Sequence, residues 1–158
     1  MATGHDLAMA LRAAYLALHR RSDARFARHA VTADQFVLLA ALSGGDALTQ
    51  RELARRTSSD PNTVRAMLLL LERRGLVVRA RHPTDARART VALTPAGRRM
   101  YRRLWTAGEP VRTEFLAALR PGEADHLLDL LHRVADTLGT SRAPAGGSTS
   151  SLSPGDEP

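Results

Sequence analysis

The chain contains no cysteine in 158 residues. That excludes a disulfide framework, a thiolate metal site and any cysteine redox switch. Lysine is missing as well, so all 23 basic side chains are arginine, a bias that GC-rich coding explains as readily as chemistry does. Aromatic residues make up only 4% of the chain while leucine and alanine abound, a balance that favours helices packed on helices over a β-sandwich. Long apolar runs are lacking. Ala66 to Leu71 is an unbroken one, yet it is far too short to span a bilayer. The opening Met-Ala-Thr-Gly-His-Asp has neither the charged nor the apolar region of a signal peptide. A cytoplasmic protein without membrane association is therefore expected, long enough for one globular domain with a real core.

What is present is charge of one sign in one place. Thr49 to Arg103 holds fourteen arginines against four acids (Glu52, Asp60, Glu72 and Asp85), a local net charge of +10 where the rest of the chain sums to −3. A basic surface concentrated on one part of a fold neutralises phosphates and releases their counterions, so double-stranded DNA is the expected partner.

Helical spacing of Leu7, Leu11, Ala14, Tyr15 and Leu18 predicts a first helix from His5 to about His29. Thr32-Ala-Asp-Gln35 is a capping box that opens a second helix through Phe36 to Leu42, ended by Gly44-Gly45. Thr49-Gln-Arg-Glu52 is another box, so Leu48 leads from a short extended piece into a third helix, Gln50 to Arg56. After the turn Thr57-Ser-Ser, Asp60-Pro61 supplies an N-cap with proline at the first helical position. A fourth helix then runs to Arg74, with Gly75 as a left-handed C-cap. The pair of helices reads as a helix-turn-helix, with an ordinary helical hairpin as the lesser alternative up to this point.

The next residues argue against the plain hairpin of helices. Leu76 to Arg81 alternates as a strand, Arg81 to Arg89 is polar with Pro83 and Asp85, and Thr90 to Thr94 alternates again. A β-hairpin directly after a helix-turn-helix, with Arg79, Arg81, Arg87 and Arg89 on its arms and tip, reads as a wing. Thr94-Pro95 restarts helix, and Gly108-Glu109-Pro110 should kink or break it before Val111 to Leu119 resumes. Pro121-Gly-Glu123 opens a last helix striped by Ala124, Leu127, Leu128, Leu131, Val134 and Leu138. The fold class expected is mainly α (α+β), a winged helix-turn-helix. It forms a single domain over 1–138, with a DNA-binding lobe at about 32–94 and dimerisation helices at about 5–29 and 95–138. From Gly139 the composition is Gly, Ser, Pro, Thr and Ala, so 139–158 is expected to be a disordered tail.

Laid out this way, the chain resembles the MarR family of winged helix-turn-helix transcriptional regulators over roughly His5 to Leu138. The most specific agreements are Leu71-Glu-Arg-Arg-Gly-Leu-Val77 at the end of the reading helix and Asp85-Ala-Arg87 in the wing. Val91-Ala-Leu-Thr-Pro-Ala-Gly97 then leads into the next helix, and Thr32-Ala-Asp-Gln-Phe36 matches the opening of the second. The resemblance implies a homodimer joined through the first and last helices, with two recognition helices in successive major grooves and wings in the flanking minor grooves. It further implies a ligand-responsive repressor on a palindromic operator, released by small phenolic or drug-like molecules bound between the dimer helices and the DNA lobe. Two departures stand out. Leu69 and Leu70 occupy positions where the family has polar residues, so a second apolar surface needs a cover, and Ala86 replaces a second wing arginine.

The residues expected to meet DNA follow from these placements. Asn62, Thr63 and Arg65 lie in the first turns of the fourth helix; arginine can donate two hydrogen bonds to guanine and asparagine can pair with adenine, whereas the bland role for Asn62 and Thr63 is capping. In the wing, Arg87 is the main candidate, with Arg89 beside it and Asp85 holding the Arg87 guanidinium by a bidentate pair; as an alternative, Asp85 is a plain turn former. Tyr15, His19, Phe36 and Trp105 are candidates to line an effector pocket, each also readable as core. The six histidines, at 5, 19, 29, 82, 126 and 132, have no metal-like spacing, so no metal and no cofactor is expected. No nucleophile elbow, phosphate loop or paired carboxylates support an enzyme. A winged-helix nucleic-acid module without ligand response, and an activator, remain the alternatives.

Overall fold

Three threonines set three helix starts by one device. The hydroxyls of Thr3, Thr32 and Thr49 accept from the amides of Asp6, Gln35 and Glu52, whose side chains return to the threonine amides. Each reciprocal box satisfies amides that the first helical turn leaves without partners. The structure, a computed structural model, describes residues 1–140. Its elements are α1 (Gly4–Phe26) with a 3-10 turn at Ala27–His29, α2 (Ala33–Leu42), β1 (Leu48–Thr49) and α3 (Gln50–Arg56). They continue with α4 (Pro61–Arg73), β2 (Val77–Arg81), β3 (Arg89–Leu93), α5 (Pro95–Ala117) and α6 (Glu123–Thr140). This is the order the sequence predicts: a mainly helical fold with a small sheet. The helix α6 continues through Gly139 and Thr140, two residues into the segment expected to be a disordered tail; the remainder of that segment lies outside the described residues.

Two compact units divide the chain, Met1–Phe115 and the part from Leu116 onward. In the first, β1, β3 and β2 form an antiparallel sheet in that order, with Leu48 opposite Val91, Val77 opposite Leu93 and Arg81 opposite Arg89. Leu38 and Leu39 of α2, Leu53 of α3, Leu104 of α5 and Val64, Leu68 and Leu71 of α4 are fully buried around it. Spacings of four and three along α4 put its three on one face, each contributing about 1.5–3 kcal/mol by leaving water. Only half of the leucine run can share that face, so Leu69 and Leu70 point out, 40% and 48% exposed.

The end of α4 and the start of α5 are locked together. Gly75 takes φ +67, and the amides of Gly75 and Leu76 return to the carbonyls of Glu72 and Leu71 at 2.9 and 3.0 Å, the doubled bond of a glycine C-cap. The Thr94 hydroxyl donates to the Gly75 carbonyl at 2.6 Å and accepts from the Gly97 amide at 3.0 Å. Gly97 then packs so tightly that a Cβ there would stand 1.9 Å from the Leu76 carbonyl oxygen.

The expected break at Gly108-Glu109-Pro110 does not occur: α5 runs unbroken from Pro95 to Ala117 with Pro110 inside it. Proline leaves the Thr106 carbonyl without its helical donor and crowds it, but both residues are exposed, so solvent substitutes for that donor. One residue earlier, the Arg112 guanidinium donates to the Trp105 carbonyl at 2.6 Å. Leu104, Ala107, Gly108 and Val111 form a buried stripe continuing past the proline, and Gly108 lies close enough to the Phe26 ring that a Cβ would sit 3.3 Å from it. Packing outweighs the local propensity.

Candidate nucleic-acid interface

The helix-turn-helix is built from the short side chains between α3 and α4. Thr57 bonds back to the Leu53 carbonyl at 2.8 Å, Ser58 adopts a left-handed φ of 51°, and the Gln50 side-chain amide donates to the Pro61 carbonyl at 3.2 Å. Asp60 then caps α4, its carboxylate accepting from the Asn62 and Thr63 amides at 2.9 and 3.1 Å. The main chains of Asn62 and Thr63 are thus committed to the cap, while their side chains are exposed. Arg65, one turn further, is exposed and has no hydrogen-bond or ion-pair partner among the described residues. An arginine left in that state on an outward helix face keeps all its donors for an external acceptor.

The hairpin differs from expectation at two places. Asp85 does not hold the Arg87 guanidinium; its Oδ1 accepts from the Arg87 main-chain amide at 2.9 Å, while its own carbonyl accepts from the Ala88 amide at 3.1 Å. A carboxylate two residues before an amide closes an aspartate turn more readily than it reaches a side chain leaving that turn. Arg79, expected on the wing surface, is instead folded into the joint with α4: Nε is 3.2 Å from Glu72 Oε2, and the side chain is only 20% exposed. Its Nε and Nη2 are shielded from solvent. Alternation explains the difference, because Arg79 pairs across from buried Val91 and shares the inward-leaning side of β2.

Arg81, Arg87 and Arg89 remain exposed at the wing end. Arg81 and Arg89 are direct cross-strand partners, and like charges directly opposite destabilise a ladder unless an anion lies near. That juxtaposition, invisible until the register is known, concentrates positive potential beside Arg87.

Not every arginine of the basic stretch is available. Arg74 donates to the carbonyls of His29, at 3.0 Å, and Ala30, and so ties the end of α4 to the left-handed residue that closes the 3-10 turn. Arg98 donates to the Leu93 carbonyl at 3.1 Å. These two and Arg79 are structural, a distinction that a charge count cannot make.

A second candidate site lies within the first unit. A cavity of about 240 Å³ is lined by Tyr15, Leu18, His19, Ser22 and Phe26 of α1, Ala33, Asp34, Phe36 and Val37 of α2, and Gly108, Val111 and Arg112 of α5. His19 bridges two carboxylates, Nδ1 to Asp23 and Nε2 to Asp34, each at 3.3 Å, and Asp23 also accepts from the Ala33 amide at 2.6 Å. Phe36 sits against Phe26 at 4.8 Å and stacks on Tyr101 at 5.9 Å. Three of the four residues expected to line a pocket therefore do so. Trp105 does not; it lies behind Arg112, whose guanidinium is 3.9 Å above its ring. Arg112 itself was not singled out by sequence, although its spacing of seven from Trp105 puts the two on one helix face.

Among the described residues, no group of histidines and acids could hold a metal ion, and no helix is long and apolar enough to cross a membrane.

The family model described as MarR family matches residues 31–88, the stretch from the second capping box to the wing. Transcriptional regulator HosA of Escherichia coli O111:H- is 30% identical over 104 residues, covering 66% of this chain and 77% of that protein. The PcaV transcriptional regulator of Streptomyces coelicolor, solved in complex with its natural ligand, superposes with a TM-score of 0.71 at 31% identity, covering 87% of this chain and 99% of PcaV. BpsR of Bordetella bronchiseptica, whose DNA binding is regulated by 6-hydroxynicotinic acid, superposes at 0.69 with 29% identity, covering 82% and 98%.

Proposed function

We propose that this chain, which belongs to the MarR family and is a DNA-binding transcriptional regulator, acts as a ligand-responsive repressor that binds a palindromic operator as a homodimer. The observation that carries the reading is the outward face of α4. Arg65 stands there exposed and without a partner among the described residues, beside Asn62 and Thr63, on a helix whose N-terminus is fixed by Asp60. Laid in a major groove, Arg65 donates to a guanine edge, and Asn62 and Thr63 reach adjacent base edges or phosphates. The wing contributes grip: Arg87 and Arg89 meet the flanking minor groove and its phosphates, with Asp85 shaping the turn that carries them.

Dimerisation is supported by apolar surface that a lone copy leaves in water. Leu7, Leu11 and Leu18 of α1 are exposed, and so are Leu131, Val134 and Leu138 of α6. Stripes of this kind on terminal helices are covered by a second copy in a symmetric pair. For the effector, Tyr15, His19 and Phe36 offer an aromatic-lined cavity with Arg112 and the His19–Asp34 pair as polar handles, suited to a small phenolic or heteroaromatic molecule. That BpsR responds to such a molecule supports the assignment.

Selection of bound duplexes from a random library, using the full chain, tests the proposal. A two-fold symmetric enriched sequence is the expected result. Enrichment of an asymmetric site, or preference for single strands, would replace the dimeric operator reader with a nucleic-acid module of another kind.

A further inference from the structure

We infer that Leu69, with Ala66 and Leu70 beside it, reads thymine methyl groups on the floor of the major groove; this rests on the reading of α4 as the helix that enters it. At about 100° per residue, Leu69 lies within about 20° of Asn62 and about 40° from each of Arg65 and Arg73, so it stands between the two arginines on the outward face. Leu70 falls beside Thr63 on the same side of the helix. The two are 40% and 48% exposed, while their neighbours Leu68 and Leu71 are fully buried. The core therefore takes its leucines without them.

The surroundings of this apolar pair select its occupant. Arg65 and Arg73 flank Leu69, both exposed, on a lobe whose residues from Thr49 to Arg103 carry a net charge of +10, which favours a polyanion over an apolar protein surface. Within a groove, a leucine placed against a base amino group or carbonyl would strip its water and return no hydrogen bond. The C5-methyl of thymine is the apolar group that the major groove presents. Side chains on a helix lean toward its N-terminus, which brings Leu69 over Ala66 and Arg65. One face thus combines an arginine suited to guanine with a leucine suited to thymine. Cytosine at the thymine position would bury its amino donor against Leu69 without a partner, so the half-site is specified by rejection as well as by contact.

Deoxyuridine differs from thymidine by the methyl alone, and supplies the test. In the operator obtained by random-duplex selection, each thymine of a half-site is replaced in turn by deoxyuridine, and affinity is measured for wild type and for Leu69→Ala. Wild type should lose about fourfold for each contacted methyl, the value of one buried carbon, at thymines beside the preferred guanine and not elsewhere. Leu69→Ala should bind the thymine and uracil duplexes equally at the position where wild type distinguishes them. Its melting temperature should match wild type, because the side chain is outside the core. Wild type indifferent to uracil throughout a half-site, while Arg65→Ala still loses operator preference, would overturn this inference and leave DNA reading by α4 intact. Unchanged uracil sensitivity in Leu69→Ala accompanied by altered sedimentation would assign the face to a protein contact instead. Failure of wild type to select any duplex would remove the premise itself.

Discussion

The carboxylate of Asp85 holds the main-chain amide of Arg87, Oδ1 to N at 2.9 Å, and leaves the guanidinium outside the turn. The acid therefore shapes the loop backbone, and its charge is incidental to that bond. Asparagine can accept the same hydrogen bond without the charge, whereas alanine cannot. Asp85→Asn and Asp85→Ala remove the same charge, so any difference between them measures the turn. Asp85→Asn should bind every duplex more tightly than Asp85→Ala by about twofold to tenfold, the worth of one hydrogen bond. Equal isotherms for the two variants would show that the turn bond contributes nothing to grip.

Gly97 should tolerate no side chain. A Cβ there would stand 1.9 Å from the Leu76 carbonyl oxygen, whereas at Gly108 it would meet the Phe26 ring at 3.3 Å, with the Arg112 guanidinium at 3.0 Å. A backbone carbonyl in a glycine cap cannot move aside, but a ring and a guanidinium can shift by a few tenths of an ångström. Gly97→Ala is predicted to destabilise by about 3 kcal/mol or more and Gly108→Ala by about 1 kcal/mol. Thermal melting of both variants checks the order, and a Gly97→Ala protein as stable as wild type would contradict the close approach.

Arg74 and Arg65 should separate cleanly despite their common charge. Arg74 bonds the carbonyls of His29 and Ala30, so Arg74→Gln should lower stability by about 1 kcal/mol and leave affinity near that of wild type once folded. Denaturant melts paired with binding isotherms would decide. Loss of affinity without loss of stability would move Arg74 into the DNA contact.

These assignments mark what was legible in the residues. Capping chemistry is local, so Thr32 with Gln35, Thr49 with Glu52 and the C-cap at Gly75 could be read directly, and they place α2, α3 and the end of α4 where they are observed. The basic lobe and the outward side of the leucine run followed from counting and helical period. What the sequence hid depends on partners far along the chain. Pro110 stays helical because buried neighbours on both sides of it pack in a continuous stripe. Arg79 turns inward because strand register places it opposite Val91, and Arg74 becomes structural because the chain returns past residues 29 and 30. Trp105 is set back from the cavity because Arg112 covers it.

Acid should weaken the fold through two hydrogen-bonded carboxylates, Glu52, which is half-buried, and Glu114, which is exposed. The Thr49 amide and hydroxyl hold Glu52 below the usual carboxylate range, and Arg21 does the same for Glu114 through paired hydrogen bonds. A carboxylate whose folded pKa is depressed contributes stability fully above its unfolded pKa and loses it as pH falls through the folded value. Melting temperature should thus be flat from pH 7 to about 5 and fall below about pH 4.5. Glu52→Gln, which can still complete the capping box, should show a shallower fall. An identical acid profile for wild type and Glu52→Gln would remove Glu52 from the cause.

Whether α4 reads sequence while the wing supplies grip is measured most directly by affinities across a salt series, on the selected operator and on a scrambled duplex. Wild type, Arg65→Ala and Arg87→Ala are compared. Arg65→Ala should lose about 1–3 kcal/mol on the operator and little on scrambled DNA, with the salt slope on the scrambled duplex nearly unchanged. Arg87→Ala should weaken binding to both duplexes alike and reduce the salt slope by about one ion for each wing engaged. If Arg65→Ala weakens the operator and the scrambled duplex equally, α4 is not the element that reads the sequence.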